Sequence, residues 1–143
     1  MALSDFRCIL RFQVPFCYID MLRHVNNVAY ITWTETVRCM YFADVMKENL
    51  SSQQSMILAR IELDYEQQLE YREQVAVGCR VSRLGRKSFD FSYEIWSESR
   101  QVRAAKGISP MVAYDYKTRS SILIPEHWRQ HITDYEGIAP TAG

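Results

Sequence analysis

An α+β fold, with an antiparallel sheet of about five strands wrapped round one long central helix, is predicted by three features of this sequence. The first is a set of stretches with apolar residues at alternate positions, clearest in Val75, Val77, Cys79, Val81 and in Phe89, Phe91, Tyr93, Ile95. A period of two marks a strand with one buried face. The second is a run from Asn27 in which Tyr30, Ile31, Trp33, Val37, Cys39, Met40, Tyr41, Phe42, Val45 and Met46 persist without Gly or Pro, a long helix with little polar surface. The third is their order. One strand precedes the helix and a run of strands follows it, which suits a sheet curling round that helix.

The elements follow in turn. A chain of 143 residues has room for one core, so 1–143 is read as a single domain. Phe6, Cys8, Leu10, Phe12 and Val14 alternate as far as Pro15, after which the polar stretch Asp20 to Asn27 makes a loop. The helix from Asn27 should be covered on most sides, because each aromatic side chain left in water forfeits roughly 1.5–3 kcal/mol. Past the polar break Glu48 to Ser55, strands are expected over Met56 to Tyr65, Gln74 to Leu84, Ser88 to Ser97 and Val102 to Tyr116. The middle pair is joined by the short Gly-containing turn Arg83 to Lys87. Pro110 cannot donate to a ladder, so a bulge or an edge is expected beside it. Pro125 opens a short terminal helix, and the chain beyond about 135 is expected to be loose.

Composition narrows the partners. Lys plus Arg number 17 and Asp plus Glu number 17, so no global field attracts nucleic acid or an acidic membrane, and an anionic ligand needs a local basic cluster. No apolar run is long enough to span a bilayer and the first eleven residues lack a leader pattern, so a cytoplasmic location is the expectation. Cys8, Cys17, Cys39 and Cys79 stand singly, without the spacing of zinc or redox sites. His127 and His131, four apart, have no obvious third ligand, so no metal site is predicted.

The chemistry concentrates in Asp20 to Arg38, where a carboxylate, a histidine and two amides lie in a loop that feeds the helix. Asn26 or Asn27 is a good helix cap, and the first helical N–H groups point outward unsatisfied. Those donors favour negative charge, including the oxyanion of an acyl-transfer intermediate. Asp20 also suits capping a turn or pairing with Arg23, and His24 is either a structural hydrogen-bonder or a catalytic proton shuttle. Glu35 and Arg38, three apart, can pair along the helix as supporting residues. Arg83, Arg86, Lys87 and Ser88 form the one dense basic cluster, either a solvated hairpin tip or a phosphate seat.

Asp20, the His24-Val25-Asn26-Asn27 run, Tyr30, Glu35 and Arg38 together resemble the signature of the hotdog-fold thioesterases related to hydroxybenzoyl-CoA thioesterase. The His-Val-Asn-Asn-Val stretch with Tyr30 and Trp33 is also similar to plant acyl-ACP thioesterases. The resemblance implies hydrolysis of an acyl-CoA or acyl carrier protein thioester, with Asp20 as general base or nucleophile and the Asn27 backbone amide polarising the carbonyl. It further implies a substrate site taking in Tyr30, CoA phosphates on the Arg83, Arg86, Lys87, Ser88 turn, and no cofactor beyond the CoA of the substrate. A dehydratase or hydratase of the same fold, and a non-catalytic acyl-binding protein, are the competing readings. The apolar helix and an open strand edge predict a homodimer or homotetramer.

Overall fold

In the computed structural model, which describes residues 2–143, the alternating segments form one curled antiparallel sheet with α1 lying across its concave face. Strand β1 spans Cys8–Gln13, α1 Asn27–Asp44, β2 Gln54–Leu58, β3 Glu62–Tyr65, β4 Gln74–Leu84, β5 Ser88–Ser97 and β6 Val102–Asp115. The two-residue β7 (Ser120–Ser121), α2 (Glu126–Tyr135) and the two-residue β8 (Thr141–Ala142) complete the order. The long strands neighbour one another as β1-β4-β5-β6-β2, with β3 continuing the β2 edge against β6.

The alternation read from the sequence is the inner face. Val77 lies opposite Ile95, Cys79 opposite Tyr93 and Val81 opposite Phe91, and none of the six is more than 1% exposed. From the helix side, Trp33, Val37, Tyr41 and Phe42 close the same core, where each fully buried aromatic or aliphatic side chain contributes about 1.5–3 kcal/mol. Asn26 caps α1 by accepting the Val28 N–H at 2.8 Å. Lys47, in the left-handed region at φ 56°, turns the chain out of the helix. α2 is pinned by Trp128, which is fully buried edge-on against Phe42.

Two expectations change, and the apolar helix is covered in part, as one sheet in one chain allows: Ala29, Tyr30, Trp33, Thr34, Val37, Arg38, Tyr41 and Phe42 are buried, while Val28, Ile31, Thr32, Glu35 and Thr36 face outward. A single sheet layer has no second face to offer. The strand expected over Met56 to Tyr65 is two strands, because Pro110 of β6 has no N–H where a continuous edge strand would accept one. Its carbonyl takes the Ala59 N–H at 3.0 Å, and the edge breaks between Leu58 and Glu62. The segment past Tyr135 is held rather than loose. Glu136 is buried, accepts the Tyr41 hydroxyl at 2.6 Å and the Val81 N–H at 3.1 Å, and β8 then pairs in parallel with Arg83 and Leu84 of β4. This tail covers the part of the β4 edge that β1 leaves bare. Among the described residues, no helix is long and apolar enough to cross a membrane.

Candidate active site

Between β1 and α1 the chain folds back on itself. Ile19 and Val25 form an antiparallel bridge, Asn26 N–H donates to the Tyr18 carbonyl at 2.8 Å, and Val25 N–H donates to the Leu69 carbonyl at 2.8 Å. At the tip, Arg23 adopts φ 70° and the Asp20 carboxylate accepts the Leu22 N–H at 2.9 Å through Oδ1. Asp20 therefore does form its turn, as Asp often does. That role occupies one oxygen, and Oδ2 makes no hydrogen bond among the described residues.

The helix start is similarly divided. Val28 N–H goes to the Asn26 side chain and Ala29 N–H to the Asn26 carbonyl at 2.9 Å. Among the described residues the Asn27 N–H meets no acceptor, which leaves one amide donor at the positive end of an 18-residue helix. Asp20, His24, Asn27 and Tyr30 share a cavity of about 360 Å³ with Leu22, Val25, Tyr65 and the segment Glu66 to Gln68. Tyr30 is 3% exposed, its phenol pushed up to about 12 by burial, so it enters the site as a neutral hydroxyl. Among the described residues His24 Nδ1 is buried without a partner.

Tyr65 and the Glu66 to Gln68 wall are not legible in the sequence. Tyr65 ends β3 and its hydroxyl donates to the Asn27 carbonyl at 2.9 Å, a contact across 38 residues that only the register of β3 on β6 creates. The sole sequence signal is an aromatic residue at the end of an alternating stretch.

The other predicted residues lie elsewhere in the chain. Gln67 N–H is anchored on the Ala104 carbonyl at 3.0 Å, whereas the Lys87 carbonyl accepts from Ala113 at 2.9 Å, nine residues further along β6. At the rise of a strand the basic turn is about 30 Å from the cavity. It is also largely occupied. Arg83 donates to both oxygens of Asp90 at 2.8 Å and to Ser88 Oγ at 3.0 Å, and only Arg86 and Lys87 keep exposed side chains. Gly85 is required there because a Cβ would stand 2.8 Å from the Ser88 carbonyl oxygen. Glu35 and Arg38 form the expected pair at 3.5 Å, with Glu35 outward and Arg38 buried under the helix. Arg38 is eleven residues beyond Asn27, about 16 Å along the axis, and is outside the cavity.

A larger hollow of about 910 Å³ lies on the outer face of the sheet, walled by Phe6, β3 and Arg103. Arg103 there pairs with Glu66 and with Glu94 at 3.4 Å, and none of the lining residues belongs to α1. Glu94 Oε2 is buried there without a partner among the described residues, so what sets the smaller cavity apart is a spare carboxylate oxygen together with an unpaired amide at a helix start.

Comparisons with known proteins agree with this placement of the fold. A thioesterase from Thermus thermophilus, solved with coenzyme A and Zn, is 27% identical with a TM-score of 0.83, over 94% of this chain and 98% of that one. A protein of Pseudomonas aeruginosa superposes with a TM-score of 0.85 at 19% identity over 95% of this chain and 96% of that one, a likeness of fold. The Bacillus subtilis protein YsmA is 27% identical over 90 residues, 63% of this chain and 61% of its own length, so the match spans about three-fifths of that relative. The family model of the thioesterase-like superfamily matches residues 14–132, from the end of β1 into α2, and the chain is thus a hotdog-fold member of the thioesterase-like superfamily.

Proposed function

We propose that this protein hydrolyses an acyl-CoA thioester to the free acid and CoA at the Asp20 cavity. The observation that carries the reading is the meeting, in one cavity, of a carboxylate with one oxygen free and an amide donor with no acceptor, in a chain of the thioesterase-like superfamily. With the thioester oxygen on the Asn27 N–H, the helix terminus stabilises the charge that develops as the carbonyl is attacked. Asp20, oriented by the Leu22 amide, takes the proton of an attacking water, or adds to the carbonyl itself. Collapse of the tetrahedral intermediate breaks the C–S bond, and the thiolate takes up a proton; on the nucleophilic route the aspartyl anhydride so formed is then cleaved by water to the free acid and the Asp20 carboxylate. His24 shares the cavity and holds the loop through its backbone carbonyl, which accepts the Asp20 N–H at 3.2 Å, while its ring makes no hydrogen bond among the described residues. No cofactor is called for beyond the substrate's own CoA.

The nucleotide end of CoA needs cations that this cavity lacks. Arg86 and Lys87 are the free members of the basic cluster, and their distance from Asp20 along the sheet means that a second subunit would have to supply them. An open β2–β3 edge together with the outward Val28 and Ile31 provides the surface for such a homodimer. The test is a hydrolysis panel of aliphatic, aromatic and carrier-protein thioesters read by free thiol, with sedimentation at the assay concentration. No turnover of any thioester would sink the reading.

A further inference from the structure

Catalysis at the Asn27 amide requires the first turn of α1 to hold its direction, yet helix ends fray and Asn27 is the first helical residue. Its two backbone groups have separate fates. The N–H meets no acceptor among the described residues, in a residue that lines the cavity, while the carbonyl receives the Tyr65 hydroxyl at 2.9 Å from the neighbouring edge strand. The hydroxyl is itself aimed by packing, since the Tyr65 ring stands edge-on to the buried Tyr30 with centroids 5.1 Å apart and planes at 83°. Burial also raises the Tyr65 phenol, which keeps it a proton donor across the neutral range.

The geometry points to Tyr65 as a positioning residue, one that latches the carbonyl of Asn27 so that the N–H of the same residue stays trained on the thioester oxygen. The inference rests on the thioesterase reading above and adds to it a role for β3. Because the proposed hydrogen bond strengthens as charge builds on that oxygen, loosening the latch lowers the transition state's binding more than the substrate's. The loss therefore falls on kcat and leaves KM nearly unchanged.

Tyr65→Phe removes the hydroxyl and keeps the ring. Expected is a kcat about tenfold lower, less than the loss of an oxyanion donor itself because the donor is displaced and not deleted. KM for acyl-CoA should stay within about twofold. Replacing Tyr65 with 4-aminophenylalanine, which restores a donor at the same point, should recover most of the lost kcat even if Tyr65→Phe lowers the melting temperature. An active wild type with unchanged kcat in Tyr65→Phe, a change confined to KM, or no recovery with the amino analogue would each overturn the latch and leave the hydrolase reading standing. A wild type inactive on every thioester would remove both.

Discussion

The two ends of the sheet carry similar polar side chains and use them in opposite ways. At the β4–β5 turn and the neighbouring end of α1, several charges are tied into internal contacts, though not those of Arg86 and Lys87. Arg83 grips Asp90 and Ser88, Arg129 donates to the Gly85 and Arg86 carbonyls, and Glu48 accepts from Ser52 at 2.7 Å, Trp128 at 2.9 Å and His127 at 3.1 Å. At the other end Asp20 keeps one oxygen, Asn27 its N–H and His24 a ring nitrogen without partners among the described residues. A cluster of charges thus says little about where a ligand binds. Unpartnered buried atoms occur elsewhere too, Glu94 Oε2 and Arg38 Nη1 among them, so what distinguishes the candidate site is a spare carboxylate oxygen and an unpaired helix-start amide lining one cavity.

The contrast can be broken most sharply at Asp20. Asp20→Asn keeps the turn-forming oxygen and removes the base, and should lower kcat for thioester hydrolysis by at least about a hundredfold with the melting temperature unchanged. Near-wild-type turnover would mean that the spare oxygen is idle. Glu48 tests the far end through stability rather than activity. Burial pushes its carboxyl up, but the hydrogen bonds from Ser52, Trp128, His127 and the Asn49 amide outweigh this and hold it at about 2 against the usual 4.5. Its folded-state value being depressed, the stabilisation is complete above about 4.5 and is lost as pH falls through 2, on the order of 3 kcal/mol in all. Thermal melts of Glu48→Gln should therefore differ from wild type at pH 7 and converge with it toward pH 2, and a gap independent of pH would refute the linkage.

Arg83→Gln leaves the half-buried Asp90 without its bidentate partner, and about 1–3 kcal/mol should be lost in denaturant melts, with KM for acyl-CoA unmoved. A raised KM with intact stability would return Arg83 to the phosphate seat. The smallest effect is expected for the double variant Arg86→Gln, Lys87→Gln, which should raise KM for acyl-CoA a few-fold and leave a pantetheine thioester unaffected, with added salt reducing the difference. Equal changes on both substrates would put the phosphates elsewhere.

How far the molecule is readable depends on where partners lie in the chain. β4 and β5 fall on their expected residues because alternation is a local property, visible whatever the strands pair with. Asp20, His24, Asn27 and Tyr30, which line one cavity, lie within eleven consecutive positions, and a resemblance in that one segment is enough to single them out. The ordered tail escapes a sequence reading because its anchors, Tyr41 and Val81, are 95 and 55 residues from Glu136. Tyr65 escapes for the same reason. The Arg83–Asp90 pair, seven apart across a hairpin, is within reach of the sequence: Arg83 is opposite Asp90 in the register, and a cation facing an acid across two strands is a pair before it is a ligand site.

The break that Pro110 imposes on the sheet edge has a consequence for how that edge can be read by another chain. An unbroken strand from Gln54 to Tyr65 would accept a partner in many registers, each shifted by two residues and each nearly as good as the next. Instead the edge offers five residues of β2, a gap at Ala59, Arg60 and Ile61, and four residues of β3. Any strand that slides along it forfeits hydrogen bonds whenever its straight part crosses the gap, so the interruption works as an index mark: it penalises misaligned pairing and caps the length of any ladder that could spread from this edge.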